Sequence, residues 1–231
     1  MRQKRLLRLK KANGGMMFGM KPALIFDLDG TLWDSSEVVA ESWNVVGRRY
    51  YGPNYFVSGD DVRGLMGKTM HEIGVFLTPP NAGPEKEAFL RECFSYEVEY
   101  LGDHPGKLFP EELQILHELS QKYRLFIVSN CQNGYIENFM PLMPEGLIEG
   151  FLCYGDTHKP KNFTIRALME KHQIEAAAYI GDTAGDESAT RLAKIPFIHA
   201  AYGYGKALSP DGVAHRFVDL PLICEQVLPP L

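Results

Sequence analysis

Four short apolar runs, each followed directly by small polar or acidic residues, constrain the fold of this chain most. The runs cover residues 23–26, 125–128, 178–180 and 196–198. Continuous apolar runs of this length are typical of strands that are buried on both faces, as in a parallel sheet. Segments of helical period lie between them. This alternation of strands and helices predicts a doubly wound parallel sheet of the α/β class.

Residues 35–106 interrupt this alternation, because they contain no strand-like apolar run. Two segments within them have a clear helical period. Their apolar positions are Val39, Trp43, Val46 and Tyr50 in the first, and Phe89, Leu90, Cys93, Phe94 and Leu101 in the second. We therefore expect residues 20–34 and 107–231 to form the core and residues 35–106 an inserted helical cap. Such a cap is placed to act as a lid, unless its helices only cover one face of the sheet.

The first apolar run leads into the sequence DLDGT at residues 27–31. Because side chains alternate along a strand, Asp27 and Asp29 are predicted to point to the same side. Two carboxylates about 4 Å apart repel by about 4 kcal/mol at an effective dielectric constant near 20, so we expect a cation between them. Mg²⁺ suits such oxygen ligands. The alternative is a strand that simply ends at a turn-forming Asp and Gly.

Composition limits the class of protein. The chain has 231 residues, 45% of them hydrophobic, which is enough for a core and a smaller insertion. No apolar run reaches the roughly 20 residues that a membrane helix needs, so no membrane contact is expected. The four cysteines are widely spaced, which argues against a zinc site or disulfides. We interpret them as buried thiols of a cytoplasmic protein.

Charge is unevenly distributed along the chain. The net charge is −5, but the first eleven residues carry +6, which leaves −11 on the remainder. We predict that residues 1–19 form a disordered basic extension; alternatively, translation starts at Met16, Met17 or Met20. The extension lacks an apolar segment, so it is not a secretory signal. The acidic remainder argues against nucleic acid as the main partner.

Four short motifs occur in order along the chain. They are DLDGT at 27–31, Ser129 with Asn130, a lysine within 159–161, and GDTAGD at 181–186. Together they resemble the signatures of the haloacid dehalogenase-like superfamily, in particular its capped phosphatases of the phosphoglycolate phosphatase-like type. The resemblance covers the chain from Met20 to its last residue. It implies a Rossmann-like α/β core with a helical cap inserted after the first motif.

The resemblance implies a role for each acid of the first motif. Asp27 would attack phosphorus and become an aspartyl phosphate, since an ionised carboxylate needs no activating base. Asp29 would protonate the leaving alkoxide and then activate the water that hydrolyses the intermediate. Family members that dehalogenate carbon lack this second acid. The presence of Asp29 therefore favours phosphoryl transfer.

The resemblance also implies a metal site. Mg²⁺ would be held by Asp27, the main-chain carbonyl of Asp29, and Asp182, with Asp186 acting through water or by fixing Asp182. The ion would offset the charge of the phosphoryl group and of the crowded acids. The alternative for Asp186 is an acid at the start of a helix, favoured by the helix dipole.

Phosphate contacts are implied at the second motif. Ser129 and the main-chain amide of Asn130 would bind phosphoryl oxygens, because hydroxyl and amide donors orient a phosphate without adding charge. The alternative is that one of them caps a helix. Thr31 is interpreted as a structural or phosphate-contacting hydroxyl in the turn of the first motif.

The lysine depends on which branch of the family the chain follows. Many capped phosphatases carry the cation directly before a proline, which fits Lys159. A narrower bacterial group has a Tyr-Gly-x-Thr stretch with the lysine further along, as residues 154–157 and Lys161 do. We predict that Lys161, with Lys159 as the alternative, pairs with the nucleophile and the phosphate. Lys68 is the predicted substrate contact of the cap.

These residues predict a Mg²⁺-dependent phosphomonoester hydrolase for a small phosphorylated metabolite. Phosphoglycolate, a sugar phosphate and a nucleotide monophosphate are all open as substrates. A phosphomutase of the β-phosphoglucomutase type also needs Asp29 and is an alternative. So is a phosphonate hydrolase in which Lys68 forms a Schiff base. A receiver-like or regulatory phosphate-binding protein is the alternative without turnover, although a helical insertion would hide the aspartate of a receiver from its kinase.

Overall fold

The computed structural model describes residues 21–230 and has a six-stranded parallel sheet at its centre. The strands along the chain are β1 (Ala23–Phe26), β2 (Trp33–Asp34), β3 (Lys107–Leu108), β4 (Arg124–Ser129), β5 (Gly150–Cys153), β6 (Ala177–Gly181), β7 (Phe197–Ala200) and β8 (Gly212–Ala214). The order in the large sheet is β5-β4-β1-β6-β7-β8. The predicted fold class is confirmed.

The strand order reverses direction at β1, and this reversal locates the site. From β1 the chain continues to β4 and β5 on one side, and to β6, β7 and β8 on the other. Phe26, the last residue of β1, lies opposite Ile127 of β4 and Ile180 of β6. Ligands of open α/β sheets bind beyond the carboxyl ends of the strands at such a reversal. The residues that follow these three strands therefore share one crevice.

Residues between β2 and β3 form four helices. They are α1 (Ser36–Tyr51), α2 (Gly59–Leu65), α3 (Met70–Leu77) and α4 (Lys86–Asp103). The two segments with a clear period correspond to α1 and α4, whereas α2 and α3 are too short to show one. Each begins with a capping box, formed by Ser58 with Asp61 and by Thr69 with Glu72. β2 and β3 pair antiparallel where the chain leaves and rejoins the large sheet.

Helices cover both faces of the large sheet. Those after β3 are α5 (Glu112–Ser120), α6 (Tyr135–Phe139), α7 (Tyr154–Thr157), α8 (Lys161–Lys171), α9 (Ala184–Ala193) and α10 (Leu220–Val227). Leu24 and Phe26 of β1 lie in one apolar cluster with residues of α5 and α10. Ile25 lies in a second cluster with residues of α8 and α9. Both faces of β1 are thus buried, which explains its continuous apolar sequence.

Three further expectations concern the cysteines, the basic extension and membrane-spanning helices. Cys93, Cys131, Cys153 and Cys224 are free and buried, as predicted. The basic extension at 1–19 lies outside the described residues. Within residues 21–230, no helix is both long enough and apolar enough to cross a membrane.

One side chain joins α1 to the loop before α2. The buried amide of Asn44 donates to the carbonyl of Val57 and accepts from its N–H, both at 2.7 Å. A leucine at this position would leave both main-chain groups of Val57 buried without these partners. An unpaired buried polar group costs about 1–3 kcal/mol.

We predict that Asn44→Leu lowers the free energy of unfolding by about 2–4 kcal/mol, because two main-chain groups lose their partners. Urea unfolding followed by circular dichroism measures the change. Asn54→Leu is the matched control, since Asn54 is exposed and surface substitutions stay within about 0.5 kcal/mol. Equal stability of the two variants would contradict the prediction.

Candidate active site

Three strand ends bring polar side chains together at the reversal point. Asp27 follows β1, Ser129 ends β4, and Asp182 follows β6. All three residues are buried, with Asp182 completely inaccessible. The N–H of Asp27 donates to the carbonyl of Ile180 at 2.8 Å, which extends the β1–β6 pairing by one residue. The crevice therefore holds two carboxylates and a hydroxyl at fixed positions.

Lys161 lies at the start of α8 and points into this crevice. Its Nζ donates to Asp27 Oδ1 at 2.9 Å and to Asp186 Oδ1 at 2.6 Å. The side chain is about as buried as its partners. Burial lowers the pKa of Lys161, but the charges of Asp186 and Asp27 outweigh this and hold the pKa well above its ordinary value. Lys159, the alternative from the sequence, is exposed.

Asp27, Asp182 and Asp186 form an acidic cluster. Each offers a carboxylate oxygen within 4.8 Å of the others, and all three residues are buried. Burial, followed by repulsion from Asp186, raises the pKa of Asp27 well above its usual range, although Lys161 opposes the shift. The same two causes raise the pKa of Asp182 to about 7. The charge of Lys161 therefore does not offset the burial and mutual repulsion of these acids.

The unused oxygen of Asp182 tests whether this cluster fits a cation. Asp182 Oδ2 accepts from the main-chain N–H of Tyr204 at 2.8 Å and of Gly205 at 3.3 Å. Asp182 Oδ1 is buried without a hydrogen-bond partner within residues 21–230. A buried carboxylate oxygen without a partner is costly, and neighbouring carboxylate oxygens are ligands that Mg²⁺ prefers. The residues therefore fit a divalent cation.

Asp186 has two structural partners. Its Oδ2 accepts from the N–H of Thr183 at 3.1 Å and from the hydroxyl of Thr183 at 2.6 Å, which forms the capping box of α9. Its Oδ1 binds Lys161. The position near the helix start matches one interpretation from the sequence. The second partner, Lys161, was not predicted.

Asp29 is held in one orientation by three donors. Its Oδ1 accepts from Trp33 Nε1 at 2.9 Å, Ser35 Oγ at 2.6 Å and Tyr135 Oη at 2.9 Å. Burial raises the pKa of Asp29, while these hydrogen bonds act in the opposite direction. Oδ2 accepts no hydrogen bond from residues 21–230. One oxygen is thus fixed and the other is left for a reacting group.

The predicted phosphate contacts are brought together only in part. Ser129 and Asn130 line the same cavity as Asp27. Neither caps a helix, since α6 begins after Gly134. The side chain of Asn130 donates to the carbonyl of Gly67 at 3.4 Å. Thr31 is completely buried and lies outside the residues that line the cavity.

The cavity lies between the sheet and the inserted helices. Its polar lining includes Asp27, Asp29, Ser129, Asn130, Gln132, Tyr135 and Lys161 from the core and Lys68 and Glu97 from the insertion. Its apolar lining comes mainly from the insertion and includes Val39, Trp43, Val62, Leu65, Met66, Met70, Ile73 and Phe94. Lys68 lines the cavity and is exposed. Glu97 was not singled out from the sequence.

Two comparisons of sequence agree with this geometry. The family model for haloacid dehalogenase-like hydrolases matches residues 24–200. A phosphoglycolate phosphatase of Rhodobacter capsulatus is 32% identical over 223 residues, which cover 89% of this chain and 98% of the relative. A phosphoglycolate phosphatase of Vibrio vulnificus (strain CMCP6) is 28% identical over 218 residues, covering 85% and 93%.

Solved structures share the fold. A haloacid dehalogenase-like hydrolase from Streptococcus pneumoniae has a TM-score of 0.74 at 23% identity, covering 87% of this chain and 97% of that one. CbbY from Rhodobacter sphaeroides, in complex with phosphate, has a TM-score of 0.71 at 19% identity, covering 87% and 96%. The resemblance seen in the motifs is confirmed. The chain belongs to the haloacid dehalogenase-like hydrolase family.

Proposed function

We propose that the chain is a Mg²⁺-dependent phosphomonoester hydrolase that acts on a small phosphorylated metabolite through an aspartyl phosphate. The observation that carries the proposal is the environment of Asp27, which accepts a hydrogen bond from Lys161 beside two further buried acids. Asp27 and Lys161 line a cavity together with Ser129 and Asp29. The names of the curated relatives, which are phosphoglycolate phosphatases, support a phosphatase.

The first half of the reaction transfers the phosphoryl group to Asp27. A carboxylate oxygen of Asp27 forms a bond to phosphorus, and the bond from phosphorus to the ester oxygen breaks. Asp29 gives its proton to the departing oxygen, which leaves as an alcohol. The raised pKa of Asp29, caused by burial, favours the protonated form that this step needs.

The second half returns the enzyme to its starting state. Asp29, now ionised, takes a proton from water as the water oxygen attacks phosphorus. The bond between phosphorus and Asp27 breaks, inorganic phosphate leaves, and Asp27 regains its carboxylate. The three donors to Asp29 Oδ1 keep the carboxyl group in place through both steps.

Other residues bind the phosphoryl group or offset its negative charge. Ser129 and the main-chain amide of Asn130 are the proposed donors to phosphoryl oxygens. Lys161 adds positive charge at the Asp27 oxygen. When bound, Mg²⁺ supplies the charge that offsets the phosphoryl oxygens and the acidic cluster. Asp27, Asp182 and the carbonyl of Asp29 are its proposed ligands.

Asp186 and Lys68 are the two remaining residues of the proposed site. Asp186 is proposed to hold Lys161 in position and to support the metal site through water, since its oxygens already bind Lys161 and Thr183. Lys68 is proposed to contact substrate. Its exposure does not favour Schiff-base chemistry, which needs a lysine whose pKa is lowered by burial.

We predict that Asp27→Asn lowers phosphate release from an aryl phosphate and from a metabolite panel by at least about 10³-fold, because the amide is a poor nucleophile. EDTA should abolish activity of the unmodified chain, and added Mg²⁺ should restore it. Asp103→Asn is the control, since Asp103 is exposed on the insertion. More than a tenth of the activity in Asp27→Asn would refute the covalent mechanism.

The two lysines give a separate prediction. Lys161→Ala leaves two buried carboxylates without their cation, so we expect a loss of about 3–5 kcal/mol in unfolding free energy and of at least about 10²-fold in kcat/KM. Lys159→Ala should change either quantity little, because its side chain is exposed. Denaturant unfolding and phosphate release measure both. Equal, mild effects would exclude both lysines from the reaction.

A further inference from the structure

Glu97 is a carboxyl group of the cavity that the proposed hydrolysis does not use. It lies on α4, is 5% exposed, and lines the cavity together with Asp27 and Asp29. Trp43 Nε1 donates to its Oε2 at 2.7 Å. The amide of nearby Gln132 instead donates to the carbonyl of Phe94 at 3.3 Å. Within residues 21–230, Trp43 is the one side chain that donates to Glu97 with normal hydrogen-bond geometry, and the amide of Gln132 makes a weaker contact with the carboxyl group.

The insertion contributes apolar side chains to the cavity that Glu97 lines. Val39 and Trp43 lie on α1, and Phe94 lies on α4 with Glu97. A carboxyl group that is buried among such side chains costs free energy unless it has a partner. Trp43 satisfies one oxygen. Glu97 lines the cavity in which the alcohol part of a bound ester would lie, because the phosphoryl end is taken up by Asp27 and Ser129.

The charge state of Glu97 limits what that partner can be. Burial raises the pKa of Glu97 to about 8, with the charge of Asp29 adding to the shift and the hydrogen bonds from Trp43 and Gln132 opposing it. This shift favours the protonated form of Glu97. A protonated carboxyl group can both donate and accept a hydrogen bond at Oε1. An alcohol hydroxyl is the group that matches both.

A carboxylate on the substrate fits this position less well. It would add negative charge to a cavity that already holds Asp27 and the phosphoryl group of the ester. Lys161 is already paired with Asp27 and Asp186. Lys68, the other lysine of the lining, is exposed, and its charge is therefore screened by solvent.

We infer that Glu97 is a specificity-determining residue that binds a hydroxyl group on the alcohol part of the substrate. The substrate class is then the monophosphate of a short alcohol with a second hydroxyl group, carried on an otherwise apolar chain. This inference rests on the proposed function and narrows its substrate class. It differs from what the names of the curated relatives suggest, since phosphoglycolate carries a carboxylate.

A matched series of esters tests the inference with the full chain. Propyl phosphate, 3-hydroxypropyl phosphate and 2-carboxyethyl phosphate have similar length and differ only at the end remote from phosphorus. We expect kcat/KM to be about tenfold higher for the hydroxyl ester than for the propyl ester, as one well-placed hydrogen bond allows. The carboxylate ester should be the poorest substrate. An aryl phosphate reports whether any monoester is hydrolysed.

Variants of Glu97 separate specificity from structure. Glu97→Leu should lower kcat/KM for the hydroxyl ester about tenfold and leave the propyl ester within about twofold. Glu97→Gln should retain most of the preference, because an amide also donates and accepts hydrogen bonds. Glu99→Gln is the matched control, since Glu99 is exposed on the same helix.

Each other outcome overturns the inference. Equal losses for all three esters in Glu97→Leu would mean that Glu97 only supports the fold. The unmodified chain alone tests the substrate class, even if Glu97→Leu does not fold. A higher kcat/KM for the carboxylate ester than for the hydroxyl ester, or equal values for the hydroxyl and propyl esters, would overturn that class. Hydrolysis of the aryl phosphate alongside such a result leaves the proposed function intact. No hydrolysis of any ester would overturn both.

Discussion

The ion pairs of Lys161 with Asp27 and Asp186 join three parts of the fold in one buried position. Asp27 follows β1, Lys161 begins α8, and Asp186 lies in the first turn of α9. Removing charges from water costs several kcal/mol for each ion, so each of these groups depends on the others for compensation. The lysine neutralises only part of the charge of the acidic cluster. The remainder is what makes the crevice suitable for a divalent cation.

The fold could be predicted from the sequence where strands are buried on both faces. The four apolar runs correspond to β1, β4, β6 and β7, which are the interior strands of the sheet. β5 and β8 lie at its two edges and begin with Gly150 and Gly212. An edge strand needs no continuous apolar run, so periodicity gives no signal there. In the insertion, the capping boxes at Ser58 and Thr69 were the available signal for the two short helices.

The candidate site could be predicted where its residues are close along the chain. Asp27 and Asp29 belong to one motif, and Ser129 and Asp182 lie at strand ends where the α/β topology puts them. The donors to Asp29 show the limit. Trp33 and Ser35 are near Asp29 in sequence, but Tyr135 comes from the other side of the insertion, and its approach depends on packing. Glu97 gave no signal, because an acid on an amphipathic helix usually faces solvent.

The pairing of β2 with β3 affects how the length of the inserted segment can change in evolution. The chain departs along Trp33–Asp34 and returns along Lys107–Leu108, so the ends of the insertion are adjacent. The entropic cost of closing a loop grows only slowly with the length of the loop, by about 0.6 kcal/mol of free energy for each doubling. The length of the inserted segment therefore has little effect on the stability of the sheet. The inserted segment, which supplies most of the apolar lining of the cavity, can thus change in length while the register of β1 with its neighbours stays unchanged.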